Sequence, residues 1–471
     1  MFRLRNRTLL LVLSHVLAVA VGLGCSTRED PGETLAISGN HSSGDLVMVT
    51  TDTSSEGYHY LAPQLSPDGS RILFTADWLA FPSHRPEGDE DFTVHRQLIL
   101  IPLQEGIEPT ISLEDQGAEL IVVTDVNLYI SGEQEYQAEC VDRRKGDPVW
   151  VDSDAPGYPG APGDQRIIFW MSTSRVGYRL FSADVSDPAL CSLTPLYMEE
   201  SDALASPPQR QHMEPALSPD GRWLAFTRSG CVIPDSFETC TGLTLMVMDM
   251  NTAGADNGYG TTTFPVTHEY SRIETPRWHP DSNRLIFSGG MDVGGMTGAG
   301  TELFTVDFDT TGLGDGTMVL DYNLQRLTYT EMTDGDPIAG IQNTGPAYSA
   351  DGCFVYFSSS RRAPTTTLHD RNIWRMTADG LTSPEIFYFT RSDDQDPYFM
   401  ADGRVLLSSA LGFPTEMLDR LEEETYQKIV IENEEQNLGL DEVQMRDLAA
   451  DERRNLEYFE GVMFHLYTFR P

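Results

Sequence analysis

A chain that repeats one phrase six times has little freedom of architecture, because each copy builds the same supersecondary unit and the units must bury one another. The phrase first appears as Leu61-Ala-Pro-Gln-Leu-Ser-Pro-Asp-Gly-Ser-Arg-Ile-Leu-Phe-Thr75 and recurs almost verbatim as Met213-Glu-Pro-Ala-Leu-Ser-Pro-Asp-Gly-Arg-Trp-Leu-Ala-Phe-Thr227. Looser copies start at Glu274, Thr344 and Gln395. The remaining copy is broken: Asp147-Pro-Val-Trp150 supplies its front and Asp164-Gln-Arg-Ile-Ile-Phe169 its back, with a Pro/Gly-rich insertion between them.

The phrase encodes a tight hairpin. A short apolar strand runs into Ser-Pro-Asp-Gly, where Pro presets one turn residue, Asp caps the turn through its side chain and Gly accepts positive φ. An alternating strand such as Arg71-Ile-Leu-Phe-Thr75 returns, its branched and aromatic residues suited to a half-buried sheet. Third strands follow, as in Leu245-Met-Val-Met-Asp249, Leu303-Phe-Thr-Val-Asp307 and Ile373-Trp-Arg-Met-Thr377. Fourth strands end in a hydrophobe and Thr, as at Leu193-Thr194, Val266-Thr267, Leu327-Thr328 and Phe389-Thr390. Four antiparallel strands, radially repeated, make a propeller blade.

The wording Pro-x-x-Ser-Pro-Asp-Gly-x-x-Ile-x-Phe-x-Ser resembles the TolB-type β-propeller repeat, which also builds the propellers of prolyl oligopeptidase-like enzymes. The resemblance spans about residues 45–471 and implies an all-β fold: a six-bladed β-propeller of four-stranded antiparallel blades. The motif prolines Pro63, Pro148, Pro215, Pro276, Pro346 and Pro397 lie between 51 and 85 residues apart, more than the roughly 40–45 of a minimal blade. The surplus is loop. TolB of the Tol-Pal system carries an α/β domain ahead of its propeller and no lipid anchor. Here only a Ser/Thr/Gly-rich tether, residues 25–44, precedes the first strand, so the resemblance implies a TolB-like relative rather than TolB.

The last blade shows how such a ring would close. After Arg404-Val-Leu-Leu-Ser408 the strand pattern gives way to a helical insertion, residues 413–460, in which Leu418, Leu421, Leu440, Val443, Leu448 and Leu456 punctuate charged runs and Gly439 separates two helices. Met463-Phe-His-Leu-Tyr-Thr-Phe469 reads as the third strand, and Pro471 leaves nothing for a fourth. Asp45-Leu-Val-Met-Val-Thr50 has the look of a fourth strand, closing Thr included. N- and C-terminal strands paired side by side would remove two exposed sheet edges.

The N-terminus reads as an export signal over residues 1–24: Arg3, Arg5 and Arg7, then an apolar run from Leu9 to Val21, then Gly22-Leu23-Gly24-Cys25. The run is shorter than the roughly 20 residues of a spanning helix. Small Gly24 before Cys25 resembles a lipobox, which implies cleavage and lipidation at Cys25, and Ser26 after it implies sorting to the outer membrane. The chain's formal charge is −40, about −43 without residues 1–24. That field repels phosphate backbones, so nucleic acid is excluded as a partner. In an oxidising compartment Cys231 and Cys240, bracketing a short loop, are the best candidate disulfide. A second bridge between Cys140 and Cys191 would leave Cys353 as a buried thiol, although sequence does not fix the connectivity.

Motifs of chemistry are missing. There is no Gly-x-Ser-x-Gly with a downstream His, no His-Glu-x-x-His, no haem-attachment motif, no P-loop and no complete EF-hand loop. His279, standing where other copies have Ser, and His212 have no sequence-near metal partner and read as structural. Acids entering the first strand of each blade, Asp147, Glu214, Glu274 and Asp396, fall near one channel mouth, where a ring of carboxylates would take Ca²⁺ or a cationic group. No other cofactor is expected. The reading is therefore a non-catalytic, lipid-anchored protein of the cell envelope, on the outer membrane facing the periplasm, which presents its propeller to an envelope protein or glycan and touches membrane only through its anchor. The alternatives are a metal-dependent, lyase-like propeller enzyme acting on polysaccharide, or a scaffold subunit of an envelope complex.

Overall fold

In a computed structural model the repeated phrase forms the hairpin that its residues dictate. The Ser66 N–H donates to the Arg71 carbonyl and the Gly69 N–H to the Ser66 carbonyl, both at 2.8 Å. The Asp68 carboxylate accepts the Ser66 hydroxyl at 2.6 Å and the Ser70 N–H at 3.0 Å. Those bonds, the Ser66 hydroxyl first, hold the Asp68 carboxyl at about 2. A depressed carboxyl stabilises the fold above the ordinary Asp range, and that stabilisation is lost as pH falls toward 2. The same turn returns at Ser218–Asp220 and Ser349–Asp351, whose hydroxyls accept Trp223 N–H at 2.8 Å and Phe354 N–H at 3.0 Å.

One turn glycine is fixed twice over. Gly352 has φ +72°, and a Cβ there would stand 2.4 Å from His279 Nε2 of the neighbouring sheet. Gly352→Ala is expected to cost more than about 1 kcal/mol, because the left-handed backbone and the packing penalise it together. Thermal melting checks this; an unchanged midpoint would mean that neither the left-handed backbone nor the His279 contact constrains this position.

The described residues are 47–49, 61–77, 96–103, 119–120, 123–125, 128–130, 133–135, 145–156, 165–173, 177–186, 191–196, 211–229, 242–251, 262–290, 300–308, 319–329, 341–361, 371–388, 394–400, 403–409, 422–423, 425–431, 433, 440–446, 448–450 and 465–469. They are mostly β, in small sheets arranged as a propeller. Sheet one joins Leu61–Leu65, Arg71–Asp77, Arg96–Pro102 and Glu119–Leu120 in that order. Sheet three joins His212–Leu217, Trp223–Ser229, Leu243–Asp249 and Thr263–Pro265. Sheet four joins Ile273–Trp278, Arg284–Gly290, Thr301–Asp307 and Gln325–Arg326, and sheet five Asn343–Tyr348, Phe354–Ser359, Asn372–Thr377 and Glu385–Tyr388. Sheet six runs Asp394–Phe399, Val405–Ser409, His465–Phe469 and finally Val47–Met48, from the other end of the chain. There Val47 faces Thr468, Met48 faces Tyr467, and the Val49 N–H donates to the Leu466 carbonyl at 2.7 Å.

The uniform four-stranded, antiparallel plan fails in sheet two. To Lys145–Val151, Arg166–Thr173, Gly177–Asp184 and Cys191–Pro195 it adds a fifth strand, Val123–Asp125, parallel to the fourth. This sheet holds the broken repeat, and the long stretch before it supplies a strand that covers an otherwise open edge. A separate hairpin pairs Leu128–Ile130 with Glu133–Glu135.

The core lies between sheets. The motif aromatic of the second strand, Phe74, Phe169, Phe226, Phe287 and Phe357, is fully buried in five copies, and Leu407 takes its place in the last. Each sits in a seam with the next or previous sheet: Phe74 with Ile99 and Leu466, Phe169 with Leu98, Phe226 with Trp170. Phe287 meets Val247, Phe357 meets Ile286, and Leu407 meets Tyr356. Burying such a side chain stabilises by about 1.5–3 kcal/mol, so the repetition of one residue supplies every seam. Fully buried Glu302 adds a polar join: it bonds Arg326 Nη2 at 2.9 Å and, across to sheet five, Asn343 Nδ2 at 3.1 Å.

Cys353 is disulfide-bonded, which overturns its reading as a buried thiol. It stands at the end of the turn, two residues after Asp351, and is buried. The insertion is helical where described, at 422–423, 425–431, 433, 442–446 and 448–450. The second helix opens with a capping box, Asp441 and Gln444 exchanging bonds of 3.0 and 2.9 Å. Asn433 ties the two helices by bonding Leu440 N–H and carbonyl. Residues 1–24, the tether with Cys25, Gly439 and the Cys231–Cys240 loop lie outside the described residues. Among the described residues no helix is long and apolar enough to cross a membrane.

Candidate functional site: the central channel

Every first strand carries the same irregularity. Its ladder with the second strand slips at the motif proline in all six sheets. The residue before that proline turns left-handed each time: Ala62 at φ +51°, Asp147 at +46°, Glu214 at +53°, Thr275 at +50°, Gly345 at +58° and Asp396 at +53°. Left-handed backbone is uncommon for any residue but glycine, and a bulge that re-aims a side chain is its usual context. The six pre-proline residues form one layer of the channel.

Three of them are acids that reach neighbours. Asp396 Oδ2 accepts the Ala62 N–H at 3.2 Å, joining the last sheet to the first, and Glu214 Oε2 accepts the Thr275 N–H at 2.9 Å, joining sheets three and four. Asp147 Oδ2 instead takes Trp170 Nε1 of its own sheet at 2.6 Å. A Cβ on Gly345 would lie 3.3 Å from Asp396 Oδ1, which fits the glycine at this position of the layer. Burial pushes the Glu214 carboxyl well up, reinforced by Asp147 and Glu274, and burial likewise raises Asp396.

Of the four acids that the sequence grouped, Asp147, Glu214 and Asp396 share this layer and Glu274 does not. It stands one residue before Thr275, paired with Arg272 at 2.7 Å. Counting back from each proline, rather than looking for acids near it, would have found Thr275, Ala62 and Gly345 as the true equivalents. Among the described residues no three His, Cys, Asp or Glu side chains stand as a group that could hold a metal ion. His279 and His212 pack structurally: His279 against Tyr348 and the Gly352 carbonyl at 3.3 Å, and His212, fully buried, edge-on to Phe226.

Toward the turn side of that layer the channel widens into a cavity of about 440 Å³, lined by the first strands of all six sheets. Its mouth is built by turn residues, Pro67, Pro219, Pro280 and Ala350 among them. In its wall the residue after each motif proline differs from sheet to sheet: Gln64, Val149, Ala216, Arg277, Ala347 and Tyr398. Arg277 is the sole cation in that ring, and sequence reasoning missed it because the repeat's phrase is variable there. Its Nη1 donates to the Pro276 carbonyl at 2.8 Å, and its charge faces Glu214 and Asp396. The volume falls within the roughly 300–1,000 Å³ of small-molecule sites.

No protein-family model matches the chain, and no curated protein sequence matches it. Among solved structures it is similar to a putative TolB from Agrobacterium tumefaciens, with 18% identity, 57% of this chain and 70% of that one covered, and a TM-score of 0.35. TolB from Acinetobacter baumannii is also 18% identical over 67% of this chain and 59% of that one, at a TM-score of 0.34. Its structural neighbours include TolB proteins. They also include a puromycin-hydrolysing peptidase of Mycobacterium tuberculosis, 14% identical over 79% of this chain and 48% of that one, at a TM-score of 0.43. The chain spans between 48% and 70% of the length of these three proteins.

Proposed function

We propose that this chain is a non-catalytic TolB-like propeller of the cell envelope, anchored by a lipid on Cys25, which binds a protein or glycan of the envelope at the turn-side mouth of its central channel. In this reading the five-stranded sheet counts as a blade and the ring has six. The observation that carries it is the cavity: six strands with one repeated proline converge on it, yet the residue after each proline has diverged into Gln64, Arg277 and Tyr398 on three strands and small side chains on the others. Common residues build the ring, and variable ones line the space where a ligand would be read.

A benzophenone amino acid placed at Ala350, in the mouth, tests the site, since it inserts into C–H bonds of peptide and sugar alike. A single adduct is expected from Ala350 in cells and none from Leu381, which is 84% exposed on an outer turn. Adducts from Leu381 alone would contradict the reading. For the anchor, Cys25→Ser is expected to move the protein from the membrane fraction to the soluble fraction, because one thiol carries the lipid. A variant that stays on membranes would sink the anchor.

A further inference from the structure

Resting on that reading, we infer that the cavity takes a neutral sugar, the end of a short uncharged glycan, rather than a strand of peptide. Its shape limits the choice first. At about 440 Å³ it is too small for a helix, whose side-chain envelope is about 10–12 Å across, and suits one or two rings.

Backbone chemistry limits it next. An extended peptide is held by adding it to a strand edge that offers N–H and C=O groups. The edge facing this channel is the first strand of every sheet, and each carries proline at its centre: Pro63, Pro148, Pro215, Pro276, Pro346 and Pro397. Proline has no N–H to give, and at Ala62 and Thr275 the preceding N–H is already taken by a carboxylate. A ligand must then be read by side chains.

Those side chains carry both signs. Arg277 lines the cavity as its cation and the exposed acid Asp152 stands at its turn-side mouth, while Asp396, which burial holds toward its neutral form, adds a polar carboxyl. A ligand of either formal charge meets a like charge there, whereas hydroxyls accept from a guanidinium and donate to a carboxylate without that conflict, and hydrogen bonds to charged groups are the stronger kind. Gln64 offers a donor and an acceptor from another strand. Half-buried Tyr398 packs against the seam that holds Phe74 and Leu466 and also lines the cavity, adding an aromatic surface suited to the C–H side of a pyranose. Aromatic walls with a few convergent polar groups are the composition of a small-ligand site.

The test is a glycan array holding neutral and charged glycans, followed by calorimetry with the best neutral ligand, its amino-sugar and uronate analogues, and trialanine acetylated and amidated at its ends as an uncharged peptide. Saturable binding of a neutral glycan is expected, weakened at least tenfold by Arg277→Met and by Tyr398→Ala, with the charged analogues weaker and trialanine silent. Arg277→Lys keeps the charge and loses the fork, so it should fall between. Binding that survives both Arg277→Met and Tyr398→Ala overturns the assignment to this cavity, and so does an array with no neutral glycan bound. A protein adduct from Ala350 alongside a silent array would retain the platform and discard the sugar; no adduct and a silent array would discard both.

Discussion

Deletion of residues 462–471 is expected to lower the melting temperature by several degrees at least, or to abolish cooperative unfolding. His465–Phe469 pairs with Val405–Ser409 at five positions and carries Val47–Met48 on its other edge. Removing it unpairs both and strips fully buried Leu466 from the seam that holds Ile72, Phe74 and Leu406. Leu466→Ala alone should cost about 2–5 kcal/mol, the range for a buried Leu in a core that cannot collapse. Val47→Pro is the milder control, since it spoils only the terminal strand's ladder. Circular dichroism melts of the three variants check the order: deletion worst, Leu466→Ala next, Val47→Pro least. A deletion that melts like the parent would mean that the ring closes without the chain's two ends.

The second large effect is on pH. Glu214 and Asp396 are raised by burial, so their neutral forms favour the fold. A raised carboxyl contributes fully below its unfolded value, ordinarily 4.5 for Glu and 3.8 for Asp, and that contribution is lost as pH rises from there through the folded value. Asp68 works in the opposite sense at lower pH. Stability should therefore peak at mildly acidic pH and decline toward pH 8. Glu214→Gln and Asp396→Asn keep an acceptor for the Thr275 and Ala62 N–H groups without the charge. Each should raise the melting temperature at pH 8 by a few degrees, do little at pH 4, and together flatten the profile. Groups facing the pair are Asp147, Glu274, Arg277 and Arg371, and their own variants should move the profile less. A double variant with the parent's pH dependence would show that these carboxyls are not the source.

Much of the fold was legible because it is written six times. Turn chemistry, the buried motif aromatic and the closing strand all followed from local rules that each copy obeys independently. Sheet two was not legible, because its repeat is interrupted and the strand it gains, Val123–Asp125, is three residues long and pairs parallel with a strand nearly 70 residues on. Non-local pairing of so short a segment leaves no periodicity to read. Cys353 was misread for a related reason: a strand pattern shows that a side chain is buried, but not which distant segment meets it.

The channel was half legible. Acids near the prolines announced a carboxylate layer, but the backbone reversal that selects which residue enters it has no signature in residue type, since Ala62, Thr275 and Gly345 share it with Asp147, Glu214 and Asp396. Glu274 was placed in the ring by its charge and excluded by one step of register. Arg277 was invisible because repeats reveal what is common, whereas a binding wall consists of what differs.

The most direct measurement plugs the cavity without touching the ring's supports. Ala347 lines the wall with a small, half-buried side chain, so Ala347→Trp fills space rather than breaking a seam. Combined with the benzophenone at Ala350, it should erase the adduct while the melting temperature stays within a few degrees of the parent. An adduct of undiminished yield from the plugged channel would show that whatever this propeller binds is held elsewhere.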